Sequence, residues 1–282
     1  MLSIWQSATT DMNRLDCKIL GVGTWGPGFK NFPQLIELLN NPGNQPEITA
    51  DNPKPTIIPA NERRRAPLSV RLAVESSWQA TQAANVDPKQ LASVFVSGLG
   101  DTQLTDYMCR TLADNQKHLS PTKFHNSVHN AAAGYWTIST GCTKTASSLA
   151  GLSESVPLAL LEAINQCCTE QRMVLITFYD APCSTVLSEL FPCEHGFSAS
   201  LVIAPASASK PSAPNMSIQV NAKPADWPKI LLSPQLQRCY EYNPAARTLT
   251  LLQALSEYDD SNSSKIVTMP LSIDNSITLT IE

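Results

Sequence analysis

The run Arg172–Tyr179 (RMVLITFY) constrains the fold more than any other segment of the chain. Its apolar and β-branched residues continue over a strand's length, well short of the ~20 residues that a membrane helix requires. A compact apolar stretch over 155–168 precedes it and reads as a helix. Phe197–Ala204 (FSASLVIA) predicts a second buried strand, and Leu91–Gly98 (LASVFVSG) a third that ends in a glycine turn. An opening strand is expected over 17–25 (CKILGVGTW), and a weaker one over 145–150. From Leu68 the period becomes helical, with Val70, Ala73, Val74, Ala80 and Ala84 on one face and Glu75, Gln79 and Gln82 elsewhere. Asp101 is placed to cap another helix that runs to about Ala113. Strands alternating with helices over the first 204 residues predict an α/β layered fold with a largely parallel sheet.

The remaining sequence is less regular. Residues 42–59 hold five prolines and read as an extended surface loop. The Pro-, Ser- and Ala-rich run 205–217 reads as a linker. It divides the chain into a half-domain over 1–204 and a short α+β remnant over 218–282. In that remnant a helix is expected near 245–255, followed by two β pieces, 266–273 and 277–281, joined at Asp274-Asn275.

Charge and cysteine usage exclude several functions. Hydrophobic residues make up 43% and charged ones 16%, the net charge is −4 and the pI is near 5.6, a balance unsuited to nucleic acid as main partner. The one basic cluster, Arg63-Arg64-Arg65, reads as solvated or locally paired. The first residues have no basic-then-apolar signal organisation, and no run suits an integral membrane segment. Eight scattered cysteines without a CxxC pair fit reduced thiols in a cytoplasm. Cys183, Cys193 and His195, with Cys167 or Cys168, match no standard zinc spacing, so no metal and no cofactor are expected.

The most distinctive stretch is 124–163, FHNSVHNAAAGYWTISTGCTKTASSLAGLSESVPLALLEA. It sets Ala131-Ala132-Ala133-Gly134 against Tyr135 and Trp136, small residues that allow close approach of backbones. Together with GVGTWGPGF at 21–29, ERRRAP at 62–67, VFVSGLGD at 94–101 and VLITFYDAP at 174–182, this stretch resembles the thiolase-like condensing enzymes. The closest resemblance is to the ketosynthase-like chain-length factors of bacterial aryl-polyene pathways, over roughly residues 17–204.

The resemblance implies a thiolase-like layered fold, mainly its N-terminal half, arranged βαβαβαββ, with a truncated second half. It also implies subunits that pair across an edge of the sheet. In active ketosynthases a cysteine begins a buried helix after an interior strand, where the helix dipole favours the attacking thiolate. Counting onward from AGYWTI places that position at Ser153, whose other reading is a helix N-cap. Cys142 lies eleven residues earlier, in the turn before the strand.

Active members also take two histidines from their second half, whereas His118, His125, His129 and His195 are the four histidines here. Only 282 − 204 = 78 residues follow the matched part. His125 and His129 are four apart and could share a helix face, but they lack the intervening Glu of a zinc motif. No catalytic residue is therefore expected. The resemblance implies a non-catalytic subunit that forms a heterodimer with an active ketosynthase and meets an acyl carrier protein bearing a phosphopantetheine-bound acyl chain. Phe124, His125, Asn126, His129, Tyr135 and Trp136 are the candidates for tunnel or interface contacts. Two alternatives stay open: a stand-alone acyltransferase or thioesterase using Cys142 or Ser153, and a purely structural stabiliser of a ketosynthase.

Overall fold

A computed structural model describes residues 14–43, 52–115, 118–210, 212–258 and 263–282. The readings of residues 1–13 and of 44–51 in the proline-rich stretch lie outside the described residues. Strand β1 (Arg14–Trp25) leads to helices α1 (Phe32–Asn40), α2 (Ala60–Arg65) and α3 (Leu68–Ala84). Strand β2 (Ala92–Val96) follows, then α4 (Thr102–Ala113), α5 (Pro121–Asn126) and α6 (Ala131–Thr140). Strand β3 (Ala146–Leu149) and helix α7 (Ser155–Glu170) precede the adjacent strands β4 (Val174–Asp180) and β5 (Phe197–Pro205). This is the βαβαβαββ order that the resemblance implies. The chain closes with β6 (Asn215–Asn221), α8 (Pro234–Tyr242), α9 (Leu249–Ser256), β7 (Lys265–Pro270) and β8 (Ser276–Ile281).

The strands form one sheet in the order β3-β2-β4-β5-β1-β6-β8-β7. The expectation of a largely parallel sheet is corrected: among the described strands only β2 pairs in parallel, with β3 and β4. The other five pairings are antiparallel. The cause lies between β4 and β5, where residues 181–196 contain no helix to carry the chain over the sheet in parallel. The stretch read as a linker connects β5 to β6, and its Asn215, Met216 and Ser217 already pair with β1. The last two strands continue the same sheet as a hairpin closed by Leu271 and Ser272 N–H bonds to the Asn275 carbonyl.

Helix α3 lies on one face of the sheet. Its Ser76 and Ser77 hydroxyls meet Ser200 Oγ at 2.8 Å and Thr177 Oγ1 at 2.7 Å, so polar groups buried between helix and strands satisfy one another. The same face holds Trp136, Phe95, Leu175 and Val202 in one apolar cluster. The opposite cluster is larger and packs Leu160 and Ile164 of α7 against Phe178, Leu251 and Leu279. Helix α7 thus packs on this face of the sheet beside the 3₁₀ turn Pro244–Thr248, which also touches β4 and β5.

The proline-rich stretch is less superficial than its composition suggests. Pro53, Pro55 and Ile58 are buried, and Arg63 donates to the Pro55 carbonyl at 3.1 Å. The basic cluster is locally paired in part, with Arg65 3.7 Å from Glu62 and Arg64 bonded to Asn61. Among the described residues, no helix is long and apolar enough to cross a membrane.

Candidate functional site

The sequence features of interest converge on the turn between β3 and α7. Among the described residues, strand β3 is the edge of the sheet and is bonded only to β2, from Ser93 opposite Ala146 to Val96 opposite Leu149. After it, Gly151 leads into a 3₁₀ turn over Leu152–Glu154 and then α7. Leu152 has φ of +46°, a left-handed conformation that costs a side-chain-bearing residue about 1–2 kcal/mol. Its carbonyl presses on the end of β2, where a Cβ on Gly98 would lie 2.7 Å from the Leu152 oxygen and 2.5 Å from Pro244 Cβ. A sharp strand-to-helix turn with one strained residue is the shape that presents a nucleophile in other enzymes. Here the strained residue is a leucine.

Ser153 is exposed, and its hydroxyl donates to Glu154 Oε1 at 2.8 Å. Its reading as the N-cap is corrected, because Glu154 holds the cap position without a side-chain bond. Ser155 closes the turn instead, accepting the Gly151 N–H on Oγ at 3.0 Å. Cys142 is buried in the turn after α6, as the spacing predicts. Its thiol donates to the Leu91 carbonyl at 3.3 Å, which occupies it away from the β3–α7 turn.

The histidine pair does not share a helix face. Helix α5 ends at Asn126, so His125 is on the helix and His129 in the turn beyond it. His129 Nε2 lies 2.7 Å from the Leu149 carbonyl at the end of β3, and the His129 carbonyl accepts the Tyr179 hydroxyl at 3.4 Å. His129 thus ties the α5–α6 turn to the edge strand. Asn126 is buried and donates to the Arg65 carbonyl at 3.1 Å, joining the same region to α2.

The aromatic candidates separate. Trp136 is 0% exposed and fills the α3-side core, while Phe124 is 58% exposed on α5. Tyr135 is half-buried, and burial pushes its phenol up with the Asn126 side chain opposing the shift. Beside Phe124, the segments flanking the edge expose Val128, Ile138 (82%), Leu152 (54%) and Leu158.

Behind the turn sits a residue that sequence reasoning missed. Asp180, at the end of β4, is fully buried and accepts four bonds: Ser97 Oγ (2.6 Å) and the N–H groups of Gly98 (3.2 Å), Leu99 (3.0 Å) and Ala245 (3.1 Å). It joins the β2–α4 turn to the 3₁₀ turn Pro244–Thr248, the two segments that flank Leu152. Burial raises its carboxyl to about 6, the four donors opposing the shift. The signal was present in the sequence: an acidic residue directly follows the apolar run VLITFY. No group of three His, Cys, Asp or Glu among the described residues is placed to hold a metal ion.

The family model for the beta-ketoacyl synthase N-terminal domain matches residues 40–261, most of the chain. The chain belongs to the beta-ketoacyl synthase N-terminal domain family. No curated protein matches the sequence. Solved structures of the same fold include the complex of ketosynthase ApeO with its chain length factor ApeC from Xenorhabdus doucetiae. That match has TM-score 0.67 and 17% identity over 94% of this chain and 99% of that one. The ishigamide ketosynthase/chain length factor aligns with TM-score 0.68 and 10% identity over 95% and 99% of the two chains. AntDE:AntF, a type II acyl carrier protein in complex with its ketosynthase, aligns with TM-score 0.73 and 11% identity over 95% and 99%. In this member of the family, the turn between β3 and α7 holds Leu152 and Ser153.

Proposed function

We propose that this chain is a chain-length-factor-like subunit, bound through the β3 edge to a ketosynthase that supplies the cysteine and histidines. The single observation carrying the reading is the β3–α7 turn, which keeps the strained geometry while its residues are Leu152 and Ser153. The other candidate nucleophile, Cys142, is buried and bonded to the Leu91 carbonyl at the opposite end of β2. Support for the partner comes from the unpaired edge of β3 and from the exposed apolar side chains Phe124, Val128, Ile138 and Leu152 that flank it. Phe124 and Tyr135 are the candidates for lining or bounding a tunnel, and His125, Asn126 and His129 for shaping the contact. The substrate would be an acyl chain carried on an acyl carrier protein and extended with malonyl units. Aryl-polyene synthesis is the specific pathway we favour, on the motifs at 126–138 and 174–182.

Co-expression with a ketosynthase encoded beside it, followed by size-exclusion chromatography and a malonyl-dependent extension assay, tests the proposal. The expected result is a one-to-one complex whose activity survives Ser153→Ala and disappears when the partner's cysteine is replaced. Absence of a complex, with acyl transfer by this chain alone that Ser153→Ala abolishes, would overturn it in favour of a stand-alone acyltransferase.

A further inference from the structure

Residues 181–196 leave the sheet after β4 and return to it at β5, and two cysteines face each other across the base of this excursion. The Cys183 N–H donates to the Cys193 carbonyl at 2.8 Å. The covalent bond lengths and angles on either side of this single contact keep the two α-carbons within about 6 Å of each other. That spacing lies inside the roughly 4.4–6.8 Å range that a disulfide spans. Both residues are free thiols, close enough for their charged forms to repel each other. Cys183 is partly exposed and Cys193 lies beneath it, 4% exposed.

We propose that Cys183 and Cys193 are an oxidation site, closed to an intrachain disulfide by hydrogen peroxide or an organic hydroperoxide. Cys183 reacts first because it is the thiol of the pair that solvent reaches. Its sulfur attacks one peroxide oxygen; an S–O bond forms, the O–O bond breaks, and the displaced oxygen leaves as water (or an alcohol) with the thiol proton. The Cys193 sulfur then attacks the sulfenic sulfur; an S–S bond forms, the S–O bond breaks, and water leaves with the second proton. Two thiols are oxidised and the peroxide is reduced, with no other reactant.

A third thiol, Cys239 on α8, lies next to Cys193; both are buried and burial raises both, Cys193 to about 12, so neither is the first to react. It lines a small cavity with Cys193, His195, Arg238 and Asn243, which Cys183 does not line. The bridge would fix a segment that already docks on the N-terminus of α4. There the Ser184 N–H donates to Thr102 Oγ1 at 2.9 Å, and Gln103 Nε2 to the Pro182 carbonyl at 3.4 Å.

The test treats the whole chain with hydrogen peroxide, counts thiols and maps peptides without reduction. We expect a loss of two thiols from the eight present and a linked peptide pair containing Cys183 and Cys193. Cys183→Ser, a change at a partly exposed site that should fold normally by circular dichroism, should abolish the intrachain link. An unchanged thiol count, a Cys193–Cys239 link, or intermolecular dimers through the exposed Cys109 in place of the intrachain bridge would each overturn the proposal.

Discussion

Gly23 and the Ser76 carbonyl meet so closely that a Cβ on the glycine would lie 2.1 Å from the Ser76 oxygen. It would also lie 2.6 Å from the backbone nitrogen of Ala80, and one position earlier on this face Gly21 meets Ala80 and Ala84 in the same way. The glycines of β1 therefore set how closely α3 approaches the sheet. That distance in turn lets Ser76 and Ser77 reach Ser200 and Thr177.

Gly23→Ala must push α3 outward and stretch those buried hydroxyl bonds. We expect destabilisation of about 2–3 kcal/mol, typical of an overpacked core. Gly134 provides the control, since it lies within α6 and a Cβ there meets nothing within 4 Å. In the isolated chain Gly134→Ala should stabilise by roughly 0.5–1 kcal/mol through helix propensity alone. Urea denaturation of the two variants checks the opposite signs.

Asp180 should make stability depend on pH. Its folded carboxyl titrates near 6, against 3.8 for the ordinary group. The native state therefore binds a proton between about pH 6 and pH 4, where the unfolded chain has already released it. A raised carboxyl value means that this group's contribution grows more favourable as pH falls through 6, and less favourable above it. Wild type should gain stability between pH 7 and pH 5 relative to Asp180→Asn, on the order of 1 kcal/mol. The variant should be less stable at both values, because its amide NH₂ faces donors that require an acceptor. Denaturant midpoints at the two pH values decide it.

Substitutions near the edge strand should divide core from contact surface. Trp136→Ala removes a wholly buried ring and should cost about 3–5 kcal/mol. Phe124→Glu and Ile138→Glu alter exposed side chains and should change the isolated chain by less than about 0.5 kcal/mol. Both should nevertheless weaken assembly with a ketosynthase, as measured by elution with the co-expressed partner. Full assembly by both variants would place the contact elsewhere. A change in product length with Phe124→Ala, without loss of assembly, would assign that ring to a tunnel.

Much of the scaffold was legible because local chemistry and tertiary packing agreed. Val174–Asp180 and Phe197–Pro205 are almost wholly buried, so their apolar runs announced them. Asp101 caps α4 by accepting the Leu104 N–H at 2.9 Å, as its position implied. Helices α1 and α8 were hard to read because each is short and keeps only a narrow apolar face, although proline in the first turn marks both starts. Strand direction was also hidden, since an apolar run is compatible with either neighbour orientation. At the site, sequence counting led to Ser153, which is exposed in the β3–α7 turn. Neither the left-handed backbone at Leu152 nor the four donors around Asp180 has a local sequence signature, because both arise where distant segments meet.

The strain at Leu152 can itself be measured. At an ordinary exposed turn residue, glycine is less stable than alanine because the unfolded chain with glycine has more freedom to lose. A left-handed residue reverses the order, since alanine keeps the Cβ clash and glycine removes it. Leu152→Gly should therefore be more stable than Leu152→Ala by about 1 kcal/mol, with the exposed side chain contributing equally to both comparisons. Equal or reversed stabilities would mean that the turn relaxes in solution, and would remove the observation on which the proposed function rests. The expected order would mean that the chain sustains a strained conformation at a position that holds a leucine, the observation on which the proposed function rests.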